Sequence, residues 1–168
     1  LILDQLLPPS NSASLEPSLT PIKPFRIASM FEELRLETER SGKRPSVFLF
    51  KYGNPTWATA RATFSSNFFA CAGYEILDEP AFQSLDAGIS ALKKANPDIL
   101  VLCSADESYT AIASALAKTT ENNPLLVVAG NPKEYTEELQ NLGVENFIHV
   151  KTNLLESLRH FNSILLHS

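Results

Sequence analysis

The chain has 168 residues, which is enough for one hydrophobic core of ordinary size and too few for two full domains. Apolar residues make up 44% of it and charged residues 20%, a balance that is typical of globular proteins and excludes disordered and fibrous classes. The formal net charge is −5 and the Lys and Arg residues do not cluster, which excludes a nucleic-acid-binding role.

The two cysteines, Cys71 and Cys103, lie far apart in a sequence without a signal peptide. This pattern predicts reduced thiols in a cytoplasmic protein and no disulfide. No apolar run approaches the roughly 18 residues of a membrane-spanning helix, so we expect no membrane segment. Because the sequence begins at Leu1 rather than Met, we expect it to be part of a longer protein.

The first 44 residues are predicted to be attachments to a folded domain that comprises residues 45–168. Residues 1–24 are predicted to form a linker, because they contain five prolines among Ser, Thr and Asn. Residues 25–44 are predicted to form a linker helix, with Ile27, Phe31 and Leu34 on one apolar stripe. Such a stripe requires burial against a neighbouring surface.

From residue 45 onward, strand and helix patterns alternate five times, which is typical of a parallel sheet with right-handed crossovers. The predicted strands are residues 47–52, 74–77, 98–103, 125–129 and 147–150. We therefore predict an α/β fold of flavodoxin-like type, with a doubly wound five-stranded parallel sheet of order 2-1-3-4-5.

Capping residues and glycines predict where the intervening helices begin and end. The signals are Gly73 after the helix that follows the first strand, Ser84 before the next helix, a capping box of Ser104 with Glu107, Asn131 with Pro132 and Glu134, and Asn153 with Glu156.

This strand order places any ligand crevice at the carboxyl ends of the first and third strands. The residues predicted to line that crevice are Gly53, Asn54, Cys103, Ser104 and Gly130.

Residues in and around these loops resemble a known family. The segments concerned are 44–49, 60–64 with 67–69, 103–106 with Tyr109, 127–132, and the upstream 31–35. From Arg44 to about Leu166, the chain resembles the cobalamin-binding domain of acyl-CoA mutases, and most closely that of the small subunit of heterodimeric methylmalonyl-CoA mutase. The resemblance implies a missing barrel domain that handles acyl-CoA and a large partner subunit that carries adenosylcobalamin. It also implies the interconversion of methylmalonyl-CoA and succinyl-CoA by the whole enzyme.

One element of the cobalamin-binding version is missing. That version carries Asp-x-His-x-x-Gly after the first strand, because an imidazole must reach cobalt. Here the loop contains Gly53, Asn54, Pro55 and Trp57, none of which offers an imidazole. We therefore expect a degenerate domain with no cofactor, no metal and no catalytic residue of its own, although it forms part of an isomerase. Trp57 and Tyr52 are expected to fill the vestigial crevice.

Other functions remain open from the residues alone. A small-ligand or nucleotide-binding module is the main alternative, because helix N-termini at the crevice can hold an anion and Gly53 and Gly130 permit close approach. A thiol enzyme built on Cys103 would need a basic partner, and none is evident. Arg61 and Asp106 could line a partner surface or the crevice, but we favour their interpretation as solvated helix residues.

The remaining candidate residues point away from two further functions. The three histidines, His149, His160 and His167, fall late in the chain, where a structural or surface role is expected rather than a metal site. Lys151 follows the last strand as a lysine does in response-regulator receivers, but no acceptor aspartate ends the third strand. A receiver function is therefore not expected.

Overall fold

A computed structural model describes residues 24–119 and 123–168. The predicted linker of residues 1–24 lies outside the described residues, except for its last residue. The helices are α1 (Pro24–Arg40), α2 (Pro55–Ala70), α3 (Leu85–Ala95), α4 (Tyr109–Ala117), α5 (Thr136–Asn141) and α6 (Leu154–Leu165). The strands are β1 (Ser46–Lys51), β2 (Glu75–Leu77), β3 (Ile99–Cys103), β4 (Leu125–Ala129) and β5 (Asn146–Ile148).

All five strands are parallel and follow the order β2-β1-β3-β4-β5, which confirms the predicted flavodoxin-like topology. β1 pairs with the whole of β3, from Val47 opposite Ile99 to Lys51 opposite Cys103. Every residue of β3 is buried, as expected for a central strand that is covered on both faces. The carboxyl ends of β1, β3 and β4 therefore meet at one edge of the sheet.

The two faces of the sheet carry separate hydrophobic cores, because successive strand side chains point to opposite faces. On one face, α2 and α6 pack over the strands, with Phe69 and Phe161 in contact at 5.3 Å between ring centroids. On the other face, α3, α4 and α5 cover Phe48, Phe50 and Leu102. The core side chains on both faces are buried, so hydrophobic burial stabilises the sheet between two helical layers.

The helix α1 packs against its own domain, chiefly against α6. Leu34 is buried, and Phe31 packs against the same core as α6. A polar chain adds to this contact: the Tyr74 hydroxyl donates to Asn162 Oδ1 at 2.5 Å, and Asn162 Nδ2 donates to Glu37 at 3.0 Å. Part of the burial that the apolar stripe requires thus comes from the domain itself.

Three local expectations differ from the structure. The Ser104–Glu107 capping box is wrong, since the Ser104 hydroxyl bonds the Tyr52 carbonyl and Asp106–Ser108 form a short 3-10 turn without a side-chain cap. The α5 helix begins at Thr136, because the residues after Asn131 form tight turns instead. β5 ends at Ile148, and the Val150 side chain beyond it is 86% exposed.

In the described part of the chain, no helix has both the length and the apolar character needed to cross a membrane.

Candidate functional site

The loops after β1 and β3 meet directly at the carboxyl edge of the sheet. Ser104 is fully buried, and its hydroxyl donates to the Tyr52 carbonyl at 2.6 Å. Gly53 has a φ of +86°, and a Cβ atom there would lie 3.0 Å from Ser104 Oγ. The structure thus places Gly53 against Ser104, the residue that follows Cys103, and a hydrogen bond joins the two loops.

Asn54 caps the N-terminus of the adjacent helix α2. Its side-chain oxygen accepts from the backbone amides of Thr56 at 3.0 Å and Trp57 at 3.4 Å, so it is the N-cap of α2. Two of the amides that a bound anion would use at this helix N-terminus are therefore engaged within the chain. The loops after β3 and β4 lead first into turns rather than directly into α-helices.

The space between these loops is filled by Arg61 of α2, whose side chain is only 16% exposed. Its Nη1 donates to the Ser104 carbonyl at 2.5 Å and to the Tyr109 hydroxyl at 2.9 Å. Its Nη2 forms an ion pair with Asp106 at 2.7 Å. Arg61 thus lies in the crevice, which was the alternative to the solvated role that we favoured for it, whereas Asp106 pairs with it and keeps a side chain that is 41% exposed.

Aromatic rings and a glycine complete the surroundings of this guanidinium. Arg61 Cζ lies 5.0 Å from the ring centroid of Trp57 and 5.4 Å from that of Tyr109. A Cβ atom at Gly130 would lie 3.0 Å from Arg61 Cζ, so the absence of a side chain there leaves room for the guanidinium. Trp57 flanks the filled space while remaining 52% exposed, and Arg61 is the side chain that occupies it.

Tyr109 contacts the guanidinium of Arg61 and is itself fully buried. Its hydroxyl accepts from Arg61 Nη1 and from the Ser104 amide, and it donates to the Ala129 carbonyl at 2.5 Å. Burial raises the pKa of Tyr109 to about 12, although its hydrogen bonds from Ser104 and Arg61 act in the opposite direction. The hydroxyl therefore stays protonated at neutral pH and ties β3, β4 and α2 together.

Cys103 lacks the environment of a nucleophile. The side chain is fully buried, and burial raises the pKa of its thiol to about 12. Reactive cysteines instead have lowered pKa values and partial exposure. The buried thiol fills space in the core beneath the crevice.

No histidine approaches the loop after β1. His149 lies beyond β5, where its Nδ1 accepts from the Lys151 amide at 3.2 Å. His160 is on α6, and His167 pairs with Glu37 of α1 at 3.3 Å. Within residues 24–119 and 123–168, no three His, Cys, Asp or Glu side chains gather in a way that could hold a metal ion.

These residues do not fit a cobalamin. Cobalamin that is ligated by the protein needs an imidazole nitrogen on its cobalt, whereas the loop after β1 offers the amide of Asn54 and the rings of Pro55 and Trp57. Its nucleotide tail needs an open channel between β1 and β3, whereas Ser104 links the two loops and Arg61 fills the adjoining space.

Sequence reasoning offered Arg61 as a crevice residue only as the less favoured alternative, and it missed Tyr109. One signal was present, since Arg61 is the single charged residue of α2 in a helix otherwise made of apolar, hydroxyl and amide residues. A solvated helix face normally carries several charges, so a lone arginine indicates a specific partner.

Comparisons with known proteins place the chain in context. No family model matches it. It is 46% identical over 145 residues to the methylmalonyl-CoA mutase small subunit of Porphyromonas gingivalis, covering 86% of this chain and 23% of that protein. It is 32% identical over 96 residues to the corresponding small subunit of Streptomyces virginiae, covering 55% of this chain and 16% of that protein. The chain thus spans about a quarter or less of the length of these relatives.

Solved structures share the fold. A cobalamin-binding protein from Desulfitobacterium hafniense superposes with a TM-score of 0.50 at 19% identity, covering 82% of this chain and 70% of that one. The signal receiver domain of a diguanylate cyclase from Desulfovibrio desulfuricans gives a TM-score of 0.51 at 14% identity, covering 74% and 95%. At such identities the likeness shows the flavodoxin-like fold alone. The sequence identity goes further, and it shows that this chain belongs to the family of the methylmalonyl-CoA mutase small subunits, of which it corresponds to a part.

Proposed function

We propose that this chain is the C-terminal domain of the small subunit of an adenosylcobalamin-dependent methylmalonyl-CoA mutase. In this proposal, residues 1–24 are the linker from the barrel domain, residues 25–44 the linker helix, and residues 45–168 the cobalamin-binding-like domain. The domain is non-catalytic and binds no cofactor. Its role is to support a heterodimer with the large subunit, which carries the adenosylcobalamin.

The observation that carries this proposal is the filled crevice. Arg61 and the hydrogen bond between Ser104 and Tyr52 occupy the edge of the sheet where a corrin tail would enter. The loop after β1 supplies no imidazole. A scaffold role follows naturally for a domain that keeps the fold and lacks the means to hold the cofactor.

A cobalamin titration tests the first half of the proposal. The chain is titrated with adenosylcobalamin and with hydroxocobalamin, and the visible spectrum of the corrin is recorded. We expect a spectrum identical to that of free cobalamin, with a catalytic large subunit as the positive control. A histidine-on, base-off spectrum or micromolar binding would contradict the proposal.

Exposed apolar residues on α1 support the heterodimer. Ile27 is 52% exposed and Met30 37% exposed, and they lie toward the N-terminal end of α1, where the stripe that continues through Phe31 and Leu34 is not covered by the domain. A partner surface that covers them would remove this apolar area from water.

Binding experiments with the large subunit test the second half of the proposal, which is the heterodimer. We expect the chain to bind the large subunit in sedimentation experiments and the Ile27→Asp variant to bind at least about tenfold more weakly, because a charge would enter the contact. Val150→Asp changes an exposed apolar residue in the turn after β5 and serves as the matched control. If the Ile27→Asp variant bound the large subunit as tightly as the unaltered chain does, α1 would be excluded from the proposed contact.

A further inference from the structure

We propose that the closed crevice is a binding site for guanidinium-type cations, and that its occupant in this protein is the side chain of Arg61. The proposal concerns the chain's own chemistry and stands whether or not the domain belongs to a mutase heterodimer.

The donor and acceptor geometry is that of a ligand site. Two acceptors, the Ser104 carbonyl and the Tyr109 hydroxyl, receive Nη1 of the guanidinium, while Asp106 pairs with Nη2. These partners come from the segment after β3 and from the start of α4, whereas Arg61 comes from α2, so the contact joins separate elements. A planar fork of N–H donors matches such a set, and a single ammonium does not.

The shape of the site is equally specific. Rings of Trp57 and Tyr109 lie within 5.4 Å of Arg61 Cζ. Gly130 has a φ of +137°, which favours glycine, and it leaves no Cβ where the guanidinium lies. A flat cation held by aromatic rings and a bare backbone is thus the class of ligand that this space accepts.

The backbone that forms the site has hydrogen bonds of its own. The Gly130 amide donates to the Ile148 carbonyl at 2.8 Å, and the Tyr109 hydroxyl donates to Ala129. These bonds do not involve Arg61, so we expect the site to persist when the Arg61 head group is removed. A free guanidinium compound should then enter.

Chemical rescue of Arg61→Ala tests this inference. We expect the variant to lose about 5 °C in Tm, because it loses its charge-assisted hydrogen bonds. Methylguanidinium at roughly tens of millimolar should restore at least about half of that loss, since a ligand of the folded state stabilises it. Methylammonium at equal ionic strength should not. The wild-type protein should gain nothing from either compound.

Trp57 provides a direct second readout, because it is the single tryptophan of the chain. Its fluorescence should change in Arg61→Ala and return toward the wild-type spectrum with methylguanidinium. Arg159→Ala, which removes an exposed arginine from α6, should change neither Tm nor fluorescence.

Should Arg61→Ala fail to fold, Arg61→Met keeps the aliphatic stem against Trp57 and removes only the head group. The same rescue is expected of it. The inference is overturned if methylguanidinium does no more than methylammonium in the folded variant, or if Trp57 fluorescence does not respond to removal of the guanidinium.

Discussion

At the scale of single residues, two side chains decide the state of the crevice. Ser104 could have capped the helix that follows, yet its hydroxyl reaches back to Tyr52 and links two loops. Arg61 could have pointed into solvent, yet it lies over Gly130 with three protein partners. Each residue could be named from the sequence, but the direction of its side chain depends on neighbours that are 43 to 69 positions away.

The contact between Gly53 and Ser104 predicts a difference between two glycine substitutions. Gly53 and Gly73 have similar φ values of +86° and +78°, so an alanine costs about 1–2 kcal/mol of backbone strain at either position. Only at Gly53 would the new Cβ also press on Ser104 Oγ, at 3.0 Å. We expect the free energy of unfolding, measured by urea denaturation, to fall by roughly 1 kcal/mol more in Gly53→Ala than in Gly73→Ala. Equal losses of free energy of unfolding in the two variants would show that the loops adjust to the new Cβ without an energetic penalty.

At the scale of elements, close approaches decide which helix positions tolerate a side chain. Gly88 lies within α3, one turn from its start, where glycine normally weakens a helix. A Cβ atom there would lie 2.4 Å from Phe50 Cζ, and Phe82 is also near. The glycine therefore allows α3 to approach the sheet closely.

A Gly88→Ala substitution is expected to destabilise the protein by about 1–3 kcal/mol, although alanine is the better helix former. The matched control is Ser90→Ala on the exposed side of α3, which should be neutral or slightly stabilising. Thermal unfolding followed by circular dichroism compares the two. A stabilising effect of Gly88→Ala would mean that Phe50 repacks freely.

The docking of α1 makes a second prediction at this scale. Leu34 is 3% exposed in the core shared with α6, whereas Leu36 on the same helix is 38% exposed. Leu34→Ala is expected to cost about 2–5 kcal/mol because it leaves a cavity, and Leu36→Ala well under half of that. Urea denaturation measures both. Similar values for the two variants would indicate that α1 is not packed as the structure has it.

At the scale of the whole molecule, buried cysteine and tyrosine side chains make the free energy of unfolding depend on pH in the alkaline range. Burial raises the pKa of Cys103 from its ordinary value near 9 to about 12, and it raises the pKa of Tyr109 from near 10 to about 12. Burial also raises the pKa of Tyr74, with repulsion from Glu37 acting in the same direction. The folded protein therefore keeps protons that the unfolded chain releases.

The sign follows from this proton balance. Below pH 9 both states hold the protons, so the stabilisation is complete, and it is lost as the pH rises from about 9 to 12. We expect the free energy of unfolding to fall across that range and to fall less steeply in Cys103→Ala. Urea denaturation at a series of pH values provides the measurement. Identical slopes for the variant and the wild type would contradict the assignment for Cys103.

The sequence by itself determined the order of helices and strands, and through it the parallel sheet. Apolar runs such as 99–103 and caps such as Ser84 and Asn153 act over a few neighbouring residues, so their effect is visible in the chain alone. The sequence also showed that the loop after β1 has no imidazole, because composition requires no geometry. Local signals define helix starts less well in turn-rich segments, and α5 begins at Thr136 rather than at the predicted Pro132.

Only the tertiary structure decided what fills the crevice. Arg61, Ser104 and Gly130 come from three separate segments, and their distances depend on how α2, β3 and β4 pack around one another. Local patterns carry no information about such distances, since contacts between segments arise from the packing of the whole core. The residue that closes the site is therefore an arginine for which the sequence alone favoured a solvated role over a place in the crevice.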